Sequence, residues 1–286
     1  MKVPSSRLLR VLAAFCMVAA AAGMGVISGG ELANASPALA AQGPTVNGGG
    51  ASFPALELNQ WRADVARPPY NLSLNYTAAG STFGRQQYLQ GNVDFGVSDI
   101  QFQPQEQTAV NNSARGNFVY VPVSAGALGF MYNLIGTNGQ RITNLRLTQE
   151  TVCRIFSEPG IKWNDPGIAA TNPGVPLPDR NVRPVIRSDG SGTSYVFSEF
   201  CIATAPNVWA KFVALVTTRA PDKGNVEFDQ GKPTSNWPVL SGFKSDVAAF
   251  ASDGVANTIA SGQSGRDTIG YIEAGYSIKV GLPTAF

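Results

Sequence analysis

Along the chain, short apolar runs alternate with stretches in which apolar positions recur every three or four residues, and turn-forming residues stand at the joins. The helical period predicts helices over residues 54–65, 82–90, 149–156, 193–203, 208–216 and 245–261. The short runs, rich in β-branched and aromatic residues, predict strands over 72–76, 93–97, 118–123, 128–133, 183–187 and 268–272. This alternation points to an α/β fold with helices on both faces of its sheets. The Pro/Gly-rich stretch 172–179 and the polar stretch 222–236 read as loops. No internal repeat interrupts the order.

The first forty residues have the layout of an export signal rather than of a folded element. Lys2, Arg7 and Arg10 make a basic start, residues 11–27 are small and apolar, and Ala33-Asn34-Ala35 and Ala38-Leu39-Ala40 are small-x-small cleavage patterns. Cleavage is expected after Ala40, with Ala35 as the alternative site. A membrane anchor fits less well, because an apolar run of about 17 residues is at the lower limit of a span. Cys16 follows the bulky Phe15 inside that run, so it does not read as a lipid-attachment site and leaves with the leader.

Charge and composition then narrow the function. The 286 residues include 21 Lys+Arg and 19 Asp+Glu; removing three basic residues and Glu31 with the leader leaves 18 of each sign. A balanced chain without any basic run lacks the broad positive surface that nucleic acid or an anionic membrane needs, so a bound anion must be held locally. With no histidine, there is no Ser-His-Asp or Cys-His nucleophile pair and no His-bearing zinc site. No metal or other cofactor is expected. The mature chain keeps Cys153 and Cys201, which an oxidising compartment would pair into a disulfide; two separately buried thiols are the alternative.

Three clusters combine glycine with hydroxyl residues just ahead of a predicted helix: GGGASF at 48–53, AGST at 79–82 and RSDGSGT at 187–193. Glycine lets backbone approach a ligand closely, and the first N–H groups of a helix have no partner within it, so such junctions are natural oxyanion cradles. Taken singly, each is an N-capped turn. None matches a phosphate-loop or dinucleotide fingerprint. A Ser-x-x-Lys stretch at 241–244 lacks the partner motifs of a serine hydrolase.

These clusters, with NVDFGVSD at 92–99, IKWND at 161–165 and IGYIE at 269–273, resemble the phosphate-binding proteins of bacterial high-affinity phosphate ABC importers, within the periplasmic-binding-protein superfamily. The matching segments include GGGASFPA at 48–55, AAGSTFG at 78–84 and RSDGSGTSYVF at 187–197, and they occur in the family's order. VNGGG at 46–50, with the pair Cys153 and Cys201, is also similar to a secreted branch of that family that carries a disulfide.

The resemblance implies a phosphate held by the Ser52 hydroxyl and Phe53 backbone N–H, by Ser81, and by Ser191, Gly192 and Thr193 at a helix start. Arg187 would supply the cation as a bidentate fork, with Asp189 orienting it. Asp94 would discriminate: a carboxylate accepts the proton that phosphate still carries, whereas sulfate has none to give and is repelled. The implied fold is two-lobed with a hinge. A signal peptide at 1–40 precedes lobe one at 43–114 and lobe two at 115–274, and 275–286 begin the return to lobe one. Because the family's chain runs on for several tens of residues past its IGYIE strand, lobe one is expected to be incomplete at its C-terminal end. The implied function is that of a secreted, extracytoplasmic, monomeric, non-enzymatic receptor delivering inorganic phosphate to an ABC permease, without nucleic acid or strong membrane contact. The alternative is a secreted interaction or scaffold module that keeps the fold without transport.

Overall fold

The structure, a computed structural model, describes residues 43–219, 232–238 and 247–285. The leader expected at 1–40, the Ser-x-x-Lys stretch at 241–244 and most of the expected loop at 222–236 lie outside the described residues.

Two sheets organise the chain. The smaller, in the order β2-β1-β3, contains β1 (Thr45–Gly50), β2 (Ser73–Ala78) and β3 (Phe95–Val97), all parallel. Parallel neighbours require crossovers, which α1 (Ala55–Val65) and α2 (Ser81–Leu89) provide; α3 (Pro104–Asn111) follows β3. Half of β1 is glycine, a poor strand composition, and α2 supplies the reason. A Cβ on Gly84 would come 2.6 Å from Gly50 Cα and 2.8 Å from Gly49 O, so the helix and strand backbones meet where side chains would hold them apart.

The larger sheet, in the order β6-β5-β7-β4-β8, contains β4 (Leu128–Asn133), β5 (Arg183–Arg187), β6 (Val247–Ala249), β7 (Thr268–Glu273) and β8 (Thr284–Ala285). β5 runs parallel to β6 and β7, and β4 runs antiparallel to β7 and β8. Successive residues face opposite sides. Tyr132, Ile186 and Tyr271 enter a core with α4 (Gln149–Ser157), α5 (Pro166–Thr171), α6 (Gly192–Thr204) and α7 (Pro206–Arg219). Met131, Val185 and Ile272 enter a second core with α8 (Ala251–Ala260) and with Tyr276 of α9 (Gly275–Val280). Burial on both faces accounts for the nearly unbroken apolar runs in these strands. Cys153 of α4 and Cys201 of α6 form the disulfide, with Cα atoms 5.6 Å apart.

Several elements differ from expectation. The helix expected over 245–261 begins only at Ala251, because Val247–Ala249 pairs with β5 as an edge strand. Residues 118–123, expected as a strand, carry no regular secondary structure and join no sheet among the described residues. Pattern and propensity do not make a strand without a hydrogen-bonding neighbour. Together with 94–100, residues 117–126 line a cavity of about 820 Å³, and Val119 and Val121 are 81% and 70% exposed. Residues 275–285 stay with the larger sheet rather than starting back to the smaller one: α9 packs on α8, and Met131 pairs with Thr284.

The disulfide closes a loop with a sequence separation of 48. Replacing Cys153 and Cys201 together by serine is expected to lower unfolding stability by about 2–4 kcal/mol through the larger entropy of the open unfolded chain. Urea denaturation of the variant and the oxidised parent would measure it.

Candidate functional site

All three glycine-hydroxyl clusters follow the carboxyl ends of parallel strands, after β1, β2 and β5. In open α/β sheets this is the rim where ligands bind. The clusters meet there. Gly80 N–H donates to Gly50 O at 2.9 Å, joining the first two loops, and Thr82 N–H donates to Gly190 O at 2.9 Å, joining the second to the third across the two sheets. Gly80 has φ +97°, and a Cβ on it would run into the Asp189 carboxylate, so only glycine lets these loops touch. A Cβ on Gly192 would come 2.5 Å from Ser81 Oγ, which puts the start of α6 directly against the start of α2.

Arg187 ends β5 at the centre of this junction and is 3% exposed. Its Nε donates to Asp189 Oδ1 at 2.7 Å and its Nη2 to Asp189 Oδ2. A guanidinium has five N–H groups, so three remain for an anion after Asp189 has taken two. Asp189 Oδ1 also accepts Ala251 N–H at 2.9 Å. Ala251 holds φ +58°, a conformation that costs a non-glycine residue roughly 1–2 kcal/mol. That turn aims the first amides of α8 at the site.

Ser52, Ser81, Ser191 and Thr193 are all buried at the junction. Ser191 caps its own helix, accepting Ser194 N–H at 3.1 Å. The starts of α1 and α2 have no side-chain cap. Among the described residues, Phe53 N–H donates to no protein group, and the Phe53 side lines the cavity together with Asp99 and Thr193. The buried Tyr271 is hydrogen-bonded beside Arg187. Tyr271 Oη accepts Arg187 N–H at 3.2 Å and lies 2.8 Å from Ser194 Oγ, and burial pushes its pKa up to about 12.

Asp94 lines the same cavity as Phe53, Asp99 and Thr193, but its carboxylate is hydrogen-bonded to none of the groups at the junction. It is exposed and accepts Asn47 N–H at 2.8 Å. Asp94 precedes β3 and lies beside the middle of β1, whereas the other groups gather beyond the strands' carboxyl ends. Five residues of roughly extended chain, about 16 Å, separate it from the position that does reach the junction. That position is Asp99, the last residue of the same NVDFGVSD motif. Asp99 Oδ2 accepts Thr193 Oγ1–H at 2.9 Å, and Asp99 N–H donates to Ser81 Oγ at 3.1 Å. Burial raises the Asp99 pKa above the ordinary carboxylate value, against the lowering effect of the Thr193 hydrogen bond and the nearby Arg187 charge. The strand's direction was the signal: of two carboxylates flanking β3, the one after it faces the rim. Ser252, in Ala251-Ser252-Asp253-Gly254 at the start of α8, is a second missed residue; it forms a fourth hydroxyl-glycine junction of the same kind.

Residues 35–286 match a family model described as the PBP superfamily domain. The chain belongs to the PBP superfamily. Among relatives of this superfamily chain, the phosphate-binding protein PstS of Xylella fastidiosa (strain Temecula1) is 30% identical over 235 residues, covering 82% of the chain and 54% of the relative. The protein of the same name from Pasteurella multocida is 32% identical over 243 residues, covering 84% and 59%. The chain thus spans little more than half the length of these curated relatives. Of solved structures, a Clostridium perfringens protein assigned as a phosphate ABC transporter substrate-binding protein, with bound phosphate, shares the fold. Its TM-score is 0.54 at 15% identity, over 85% of this chain and 75% of that one. Among the described residues of this PBP-superfamily chain, no helix is long and apolar enough to cross a membrane.

The raised pKa of Asp99 fixes the sign of a pH effect. The folded protein holds this proton to higher pH than the unfolded chain, whose carboxylate titrates near 3.8. Asp99's own contribution to stability without ligand is therefore expected to be full below that value and to be lost as pH rises through the folded-state pKa of Asp99. Asp99→Asn should remove this contribution, so that the difference between the urea midpoints of variant and parent changes across the acidic range and is constant on either side of it.

Proposed function

We propose that this protein is a non-enzymatic solute-binding protein that takes up inorganic phosphate outside the cytoplasm for an ABC importer. The observation that carries the reading is the meeting of three glycine-hydroxyl loops around one buried arginine, with a carboxylate of raised pKa at its rim. The names of the PstS relatives and the bound phosphate of the fold relative support it. In this reading the anion takes Arg187's remaining N–H groups, the Phe53 and Gly192 amides, and the hydroxyls of Ser52, Ser81, Ser191 and Thr193. Asp189 holds the guanidinium plane. Asp99 takes the discriminating role expected of Asp94: it accepts the phosphate proton and leaves sulfate facing an unpaired negative charge. A monomer handing its ligand to a permease completes the proposal.

One observation favours the alternative of an interaction module, the exposed apolar run of Val119, Tyr120 and Val121. Titration calorimetry with phosphate, and with sulfate as competitor, separates the two. The phosphate reading expects binding that sulfate does not displace. Asp99→Asn should weaken it roughly 10- to 100-fold, the worth of a hydrogen bond to a charged group, and narrow the preference over sulfate, while Asp94→Asn changes neither. A chain that is folded by circular dichroism and binds no phosphate would leave the interaction module standing.

A further inference from the structure

Ser52 and Ser252 come from opposite sheets, the first from the loop after β1 and the second from the start of α8 after β6. Both are buried, at 2% and 1% exposure. Ser252 N–H donates to Ser52 Oγ at 2.9 Å, and the two Oγ atoms lie 2.9 Å apart. Tyr276 Oη–H donates to Ser52 O at 3.1 Å, so the Ser52 backbone is fixed as well.

We infer that Ser252 is a positioning residue that turns Ser52 into an anion donor. A hydroxyl has one proton and two acceptor lone pairs. The Ser252 amide fills one lone pair of Ser52 Oγ. The contact between the hydroxyls can then run either way. If Ser52 donates to Ser252, its proton is spent inside the pair and a lone pair is left facing the site. If Ser252 donates to Ser52, both lone pairs are filled and the Ser52 proton must point outward. An anion in the site selects the second arrangement, because a lone pair aimed at it would be repelled. Ser252 touches no anion itself; it acts only through Ser52.

Its reach across the sheets gives the contact a second effect. The outward arrangement needs the start of α8 seated on the loop after β1, so anion binding favours the closed relation of the two sheets without a contact between the anion and α8. The inference rests on the phosphate reading.

The test is a double-mutant cycle in the full-length protein with inorganic phosphate as the probe, read by calorimetry with folding checked by circular dichroism. Ser252→Ala, which keeps the amide and removes the hydroxyl, is expected to weaken binding roughly tenfold, the loss of one ordinary hydrogen bond. In a Ser52→Ala background the same change should cost less than about twofold, since there is no hydroxyl left to orient. Ser252→Thr, which retains the hydroxyl, should restore binding. Ser252→Cys, similar in shape but a weak donor, should fall between the parent and Ser252→Ala, and it carries the test if the alanine variant does not fold. Parent-like affinity in a folded Ser252→Ala or Ser252→Cys protein would overturn the inference alone, as would an undiminished loss in the Ser52→Ala background. A folded parent that binds no phosphate would overturn the phosphate reading and the inference with it.

Discussion

Arg187 and Asp189 are enclosed together, and a guanidinium removed from water is stable only where its charge is met and its N–H groups are paired. Asp189 meets the charge on one side. It does so from two residues away along the same loop, so the pair is set as soon as the turn after β5 forms. The rest of the site then faces an electrostatic limit. One cation already neutralised by one carboxylate cannot by its charge hold a further anion beside Asp99. In the proposed phosphate reading, the attraction would come from backbone amides at helix starts and from hydroxyl protons, with one proton shared between the anion and Asp99. That limit accounts for the many serines and glycines, and for a carboxylate whose pKa burial has raised rather than lowered.

The architecture supplies these donors by repetition. Each time a parallel strand ends and a helix begins, the chain offers amides without helical partners at the same rim. β1, β2 and β5 each do this, and α8 does so again after β6. The glycines at these turns allow more than backbone freedom. They let the backbone of one loop sit directly against a polar side chain from a loop of the other sheet, as Gly80 does against Asp189 and Gly192 against Ser81. Sites of this kind are assembled from backbone, so small substitutions within the loops disturb them more than substitutions in the surrounding core.

Much of the fold was legible because most buried strands here pack on both faces and the longer helices keep their period, as in 128–133, 183–187 and 149–156. What was not legible depended on neighbours. Residues 118–123 carry the apolar, β-branched pattern of a strand yet join no sheet among the described residues. Val247–Ala249 reads as the head of a helix until β5 claims it. The loops of the site could be read one by one as N-capped turns with free helix-start amides, but their convergence is a property of the sheets. The choice between Asp94 and Asp99 was open to a simple geometric rule about which end of a strand faces the ligand rim; a motif containing both carboxylates does not by itself decide.

Asp94 sits where β3 begins, and β3 is an edge strand of the smaller sheet among the described residues, paired there only with β1. Such an edge is a template for another chain's strand. A charge fixed at its entrance opposes that stacking, because a second copy would bring a like charge or bury this one.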